Sequence, residues 1–471
     1  MKPTLHLNAF NPQPFAARRA RLAEKMRELV PSGASVAIIQ TAPEVARNRD
    51  AHYDFRPDSY FYYLTGFTEP EAVLVLLVTA NSTRSIVYCR EKNLEREIWD
   101  GYRLGPEQAV AYLQVDEAHD VANFADELPN WLGNTHAVFA PLASQTSLDA
   151  CVATALNATR AQVRSGVGAP AIQHDLYAIL DEMRLRKDAV EQQWLHAAGK
   201  ISALGHIRAM EKCRVGWREL DLEAELRHEF MRAGAQEVAY NSIVATGANA
   251  CCLHYRAGLT ELKDGDLCLI DAGAEYGYYA GDITRTFPVN GKFTKPQREI
   301  YECVLAAQSE AIRLTKAGVK FDAPHNAVVR VLTQGLLDLG ILDKNKVGSL
   351  EDAIVQKAYQ PYFMHRTGHW IGLDVHDCGA YSVGQITDPN DASKQLPNWR
   401  VLEVGMALTV EPGIYVSPNN LNVAKKWRGI GVRIEDDVVV TKNGCEVLTG
   451  DVPKTVADIE VLMAAARMSA A

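Results

Sequence analysis

Apolar positions in the first part of the chain fall into short unbroken runs separated by polar turns. SVAIIQ (35–40), AVLVLLV (72–78) and RSIVYC (84–89) have strand length, which predicts buried strands. PEQAVAYL (106–113) reads as a helix. In FAARRARLAEKMREL, Phe15, Leu22, Met26 and Leu29 recur at near-helical spacing and predict an amphipathic surface helix. Residues 1–180 therefore read as an α/β domain, closing in the charged stretch ILDEMRLRKDAVEQQ at the start of a long helix. That helix is carried over 188–212 by Val190, Trp194, Ala198, Ile201, Leu204 and Ile207. RELDLEAELRHEFMRAG (218–234) predicts another, stopped by Gly234. Strands are then expected at 241–246, 267–274, 278–289, 406–411 and 430–440, with helices at 297–316 and 323–340. Residues 181–471 thus read as an α+β domain of mainly antiparallel strands with helices on one side.

Composition narrows the class. A hydrophobic share of 47% with 23% charged residues is that of a globular chain without a disorder signature. A net charge of −9 argues against a nucleic-acid partner. The nine cysteines are scattered, with no CxxC pair, which fits reduced thiols in a cytoplasmic protein. No signal peptide is read at the start, and the longest apolar runs are too short to span a bilayer, so no membrane role is expected.

Candidate chemistry begins in CLIDAGAEYGYYAGDITRTF (268–287), two apolar runs around a glycine turn, each carrying an aspartate. A two-residue turn at Tyr276-Gly277 sets residue 275 against 278 and Asp271 directly opposite Asp282. Cross-strand partners have Cβ atoms ~4.5–5.5 Å apart, so two carboxylates there call for a counter-ion, one divalent ion or two. On an edge strand the acids would face water, but the LCLI run before Asp271 speaks for burial. Downstream, HRTGHWIGLDVHDCG holds His365, His369 and His376, with Gly368 and Gly372 opposing a zinc-type helix. HEFMR (228–232) lacks the second histidine of HExxH. Glu411 closes the apolar strand ALTVE before Pro412-Gly413, and GVRIEDDVVV places Arg433 and Glu435 two apart on one strand face. Asp271, Asp282, Glu411 and Glu435 carry four negative charges, matching two divalent cations. Carboxylates with one or two imidazoles suit Mn²⁺, Co²⁺, Fe²⁺ or Zn²⁺, with the oxygen-rich set leaning to Mn²⁺.

The ordered segments DAG, GDITRTF, GHWIGLDVH, VEPG and GIGVRIEDD resemble the pita-bread metallopeptidases, the methionine aminopeptidase/prolidase/aminopeptidase P superfamily. Within it the chain is most similar to the bacterial aminopeptidase P (Xaa-Pro aminopeptidase) type, a likeness extended over the N-terminal part by YFYYLTGFTEPEAVLVL and EIWDGYRLG. The resemblance implies a creatinase/aminopeptidase P-like N-terminal domain before a pita-bread catalytic domain with a curved antiparallel sheet. It implies two metals bridged by Asp282 and Glu435, with Asp271 completing one site and His369 and Glu411 the other. Glu411 would shuttle protons for a metal-bridging hydroxide that attacks the carbonyl of an N-terminal Xaa-Pro bond. His254 would line the substrate site, and His376 would stabilise the oxyanion. His365 and Arg433 would stand near the leaving proline, Tyr415 would help line that pocket, and Trp99 would reach a neighbouring subunit in a dimer or tetramer. An Xaa-Pro bond has no N–H on its leaving nitrogen, so a dedicated pocket is needed. A prolidase acting on dipeptides is the alternative with the same metals, and a non-catalytic pita-bread binding protein is another. Intact ligands count against the latter and against metal-free creatinase-like chemistry.

Overall fold

The computed structural model describes residues 10–144, 146–389 and 391–468. The described residues divide into two compact units, one ending at Arg184 and the other beginning at Leu185. The first is built on a six-stranded sheet. Its order is Glu117–Asp120, Thr83–Cys89, Val73–Val78, Ser35–Gln40, Ala137–Ala140, Ile172–Asp175. The three long apolar runs are antiparallel neighbours at its centre, and the outer strands add on in parallel. These outer strands have four residues each, too few for a periodic signal, and the sequence pattern did not reveal them. The helix Gln13–Leu29 buries Phe15, Leu22 and Met26 as its spacing predicts, but leaves Leu29 51% exposed. It also buries Arg18 and Arg19. Their guanidiniums donate to the carbonyls of Tyr63, Leu64 and Leu113, so these charges satisfy backbone acceptors inside the unit.

In the second unit the helix Ala189–Lys212 starts in a capping box. The Asp188 side chain accepts from the N–H groups of Val190 and Glu191, and Glu191 returns a bond to the Asp188 N–H. The helix packs on Glu219–Ala233, where Gly205 admits the Phe230 ring: a Cβ there would come within 2.3 Å of it. It also packs on the hairpin that holds the candidate acids and on the helix Val456–Met468. Ile243–Thr246, Leu267–Ala272 and Ile283–Pro288 form one antiparallel sheet. Ala407–Val410, Asp436–Val440 and Cys445–Val447 form another, and Gly413–Tyr415 pairs with Gly431–Arg433. Helices Lys295–Leu314 and Asp322–Asp338 complete the layer of helices packed on this core.

Two expectations are corrected and one element is added. The hairpin turn lies at Gly277-Tyr278, with Tyr276 facing Tyr279, so Asp271 pairs with Thr284 rather than with Asp282. Gly277 and Tyr278 both take positive φ, 59° and 65°, the conformation a tight primed turn requires. The predicted strand 430–440 is two strands, interrupted at Ile434-Glu435, so Arg433 and Glu435 do not share one strand. Finally, Ser382–Asp388 and Asp391–Trp399 form an exposed antiparallel hairpin that the weak polar pattern did not disclose.

Candidate metal centre

The register correction moves Asp282 by two places and leaves its face unchanged, because side chains alternate with period two. Asp282 lies two residues before Thr284, the partner of Asp271, and is its diagonal neighbour. Two close backbone approaches fix this corner. A Cβ on Gly273 would meet the Gly281 carbonyl oxygen at 1.6 Å, and the Asp282 N–H donates to Asp437 Oδ2 at 2.8 Å. Tyr240 then ties the acids together, its hydroxyl lying 2.5 Å from both Asp271 Oδ1 and Asp282 Oδ1.

The remaining ligand candidates arrive on two further segments. His369 N donates to Thr409 Oγ1 and Thr409 N to the His369 carbonyl, while Glu411 N donates to the Thr367 carbonyl. That short ladder sets His369 beside Glu411. The Glu435 N–H donates to the Thr284 carbonyl at 3.0 Å, and Thr284 Oγ1 donates to Glu435 Oε2 at 2.5 Å. The break in the strand at Glu435 therefore turns its carboxylate toward the aspartate hairpin. Buried Arg285 holds the Glu435 carbonyl from beneath at 2.6 Å and pairs with Asp436 at 2.7 Å. Ligand atoms of Asp282, His369 and Glu435 lie within 4.8 Å of one another. His369 Nε2 stands 3.5 Å from Asp282 Oδ2 and 3.8 Å from Glu411 Oε1. His369 Nδ1 faces the Trp370 carbonyl at 2.9 Å and must donate to it, which frees Nε2 for the acids or a metal.

Arg433 pairs with Asp271, its Nη2 at 2.5 Å from Oδ2, not with Glu435. Its Nη1 donates to the Tyr415 hydroxyl at 2.9 Å, which in turn lies 2.9 Å from His365 Nε2. His365 Nδ1 donates to the Arg366 carbonyl, so Nε2 accepts the Tyr415 proton. Tyr415 is thus a buried strut behind Arg433 and His365, two residues of the cavity wall. The wall is a cavity of about 850 Å³ that brings together His254, Asp271, Asp282, His365, His369, His376, Glu411, Arg433 and Glu435. Trp99 does not join them; it lies in the N-terminal unit on the helix Leu94–Asp100, 82% exposed.

The electrostatics test whether metals fit. Burial pushes the Glu435 carboxyl well above its usual range, reinforced by Asp282, Glu411 and Asp271. Burial likewise raises Asp282 and Asp437, and lifts Glu411 to about 7 against the pull of His369 and Arg433. Burial pulls His369 down, but its bond to Asp282 and the charge of Glu411 outweigh it and lift the imidazole to about 9. His365 and His376 are pushed down to about 4, first by burial, and are neutral bases. The cluster therefore holds more carboxylate than its one guanidinium and one imidazole compensate, and it retains protons instead. Oxygen donors with one freed imidazole nitrogen, short of positive charge, fit divalent cations. Sequence spacing missed Tyr240, Thr284 and Asp437. Tyr240 sits in a loop without periodicity, whereas the acid run EDD at 435–437 was a visible cue for Asp437.

The model for metallopeptidase family M24 matches residues 193–442, and that for the aminopeptidase P N-terminal domain matches 15–139. The Xaa-Pro aminopeptidase of Escherichia coli K12 is 45% identical over 456 residues, 97% of this chain and 98% of its own length. Human Xaa-Pro aminopeptidase 3 is 33% identical, covering 90% of this chain and 80% of its own. The structure of Pseudomonas aeruginosa aminopeptidase PepP matches with a TM-score of 0.91 at 47% identity, covering 98% of this chain and 99% of its own. A zinc-substituted E. coli aminopeptidase P with bound product matches at 0.90 and 44% identity, with coverages of 98% and 100%. The α/β N-terminal domain followed by a pita-bread domain is the architecture of these proteins. By its metal-fitting acids, its fold and its full-length relatives, the chain belongs to the aminopeptidase P group of metallopeptidase family M24.

Proposed function

We propose that this metallopeptidase releases the N-terminal residue from peptides with proline in second place, using two divalent ions, manganese first among them. The observation that carries the reading is the convergence of Asp271, Asp282, His369, Glu411 and Glu435 into one cluster on the cavity wall, where one guanidinium and one imidazole do not balance the buried carboxyls. Full-length relatives bearing the Xaa-Pro aminopeptidase name support the substrate class. Asp282 and Glu435 would be shared between the ions, Asp271 would complete one site, and His369 and Glu411 the other. When bound, such ions supply a nucleophile active at neutral pH and a Lewis-acid clamp on the scissile carbonyl.

The protein's own groups do the rest. Glu411 takes a proton from the attacking water and returns it to the proline nitrogen as the bond breaks. His376, neutral and in the cavity wall, donates to the carbonyl oxygen as charge develops on it. His254 lines the substrate side, while His365 and Arg433, locked by Tyr415, present a rigid surface to the proline ring. We place the enzyme in the cytoplasm, where nine free thiols stay reduced. We also propose a homo-oligomer, dimer or tetramer, assembled over the exposed apolar side chains of Leu94, Ile98, Trp99 and Tyr102.

The test is a length series, Xaa-Pro against Xaa-Pro-Xaa and longer peptides, with Mn²⁺ supplied. Release of the first residue from the longer peptides is expected. Turnover of the dipeptide alone would make the enzyme a prolidase, and metal uptake without turnover of any Xaa-Pro peptide would favour a binding protein.

A further inference from the structure

The cavity above the metal centre is unevenly charged. Its acids, Asp271, Asp282, Glu411 and Glu435, cluster with Tyr240, Thr284, His369 and Arg433. Two other lining arginines, Arg256 and Arg366, have no carboxylate within 4.0 Å among the described residues and donate no side-chain hydrogen bond there. Arg366 is nevertheless held. Its guanidinium carbon lies 4.4 Å from the centroid of the Trp399 ring, another wall residue. Trp399 packs near Phe321, which packs against Tyr381, at 6.4 and 4.8 Å between ring centroids. All three aromatic rings line the same cavity. A cation–π contact fixes the position of a guanidinium while leaving its N–H groups free to meet an anion.

An aminopeptidase substrate has a single residue on the amino side of the cut and all the rest on the other. The leaving portion therefore takes up most of the wall, and Arg366 directly follows His365, the residue placed beside the proline. An extended chain advances ~3.3–3.6 Å per residue, so the carboxylate of a tripeptide stands within the reach of a cavity of this size. We infer that Arg366, stacked on Trp399 and seconded by Arg256, binds a carboxylate on the leaving portion of the substrate. That group is the C-terminus of a short peptide or an acidic side chain next after the proline. The inference rests on the Xaa-Pro reading above and makes Arg366 a specificity residue for it.

The test uses the metal-loaded full chain and compares kcat/KM within two pairs, Ala-Pro-Ala against its C-terminal amide and Ala-Pro-Glu-amide against Ala-Pro-Gln-amide. A charge-assisted bidentate contact predicts a preference of about tenfold for the carboxylate member of at least one pair. Preference in the first pair assigns the C-terminus, and in the second the side chain. R366A should bring the ratio to about 1, R366K should keep part of it, and W399A should weaken it by freeing the guanidinium. Equal rates within both pairs for the unaltered enzyme, or an unchanged ratio in R366A, overturn the inference while the Xaa-Pro reading stands. Failure to cleave any of the four peptides removes that reading, and this inference with it.

Discussion

Tyr240 has one phenolic proton and two carboxylate neighbours at equal distance, so Asp271 and Asp282 cannot both receive it. Burial and the two aspartates keep its phenol protonated, which makes it a fixed donor to whichever acid is less engaged. Tyr240→Phe should therefore weaken metal binding by about 10–100-fold, measured by competition with a chelator, while far-UV circular dichroism is unchanged. Unaltered affinity would remove Tyr240 from the site. Glu411→Ala should lower kcat by about 10²–10⁴-fold with the fold retained, and near-normal turnover would remove Glu411 from the proton path. At this scale, the ligand candidates were readable because apolar runs that end on an acid are conspicuous. Tyr240 and Thr284 were not, because a tyrosine in a loop or a threonine in a strand needs no special explanation. Arg433 was visible, but not its partner: the sequence set it on one strand face with Glu435, whereas with the strand broken its guanidinium meets Asp271.

The hairpin around Gly277 is the element on which the site depends. Its register slips by two residues from the simplest turn, and both acids still share a face because the slip is even. What hydropathy could not disclose was the crossing at Gly273, where the strand passes so close to the Gly281 carbonyl that no side chain fits. Gly273→Ala should destabilise the protein by about 3 kcal/mol and shift Asp282, with metal affinity falling in parallel. Denaturant titration of the metal-stripped variant alongside its metal affinity checks this, and a wild-type midpoint would contradict the close approach. The long apolar strands were legible as unbroken runs, and the helices 189–212 and 219–233 as long stretches of helix-forming residues, opened by Asp188 and closed by Gly234 respectively. The four-residue outer strands and the polar hairpin 382–399 lack a hydrophobic period, so only tertiary pairing reveals them.

Over the whole molecule, the metal-free cluster stores protons that the unfolded chain releases. Near pH 7, unfolded carboxylates and imidazoles are largely deprotonated, whereas folded His369, lifted to about 9, keeps its proton and Glu411, lifted to about 7, holds one part of the time; burial shifts Glu435 and Asp437 in the same direction. The folded state thus binds more protons, and its stability must fall as pH rises from about 7 through about 9, where His369 loses its proton. Metal ions displace these protons, so the loaded protein should show a shallower decline, and loading at pH 7 should release protons detectable with an indicator dye. Thermal melts of both forms across that window check the sign; parallel curves would mean that the acids do not hold the metal. The most direct measurement titrates Mn²⁺ into metal-stripped protein while counting bound ions and following release of the first residue from an Xaa-Pro-Xaa peptide. Two ions bound per chain, with turnover absent before metal is added and present once they are in place, is the expected result. Turnover by the metal-free chain, or full metal loading with no release of the N-terminal residue, would contradict it.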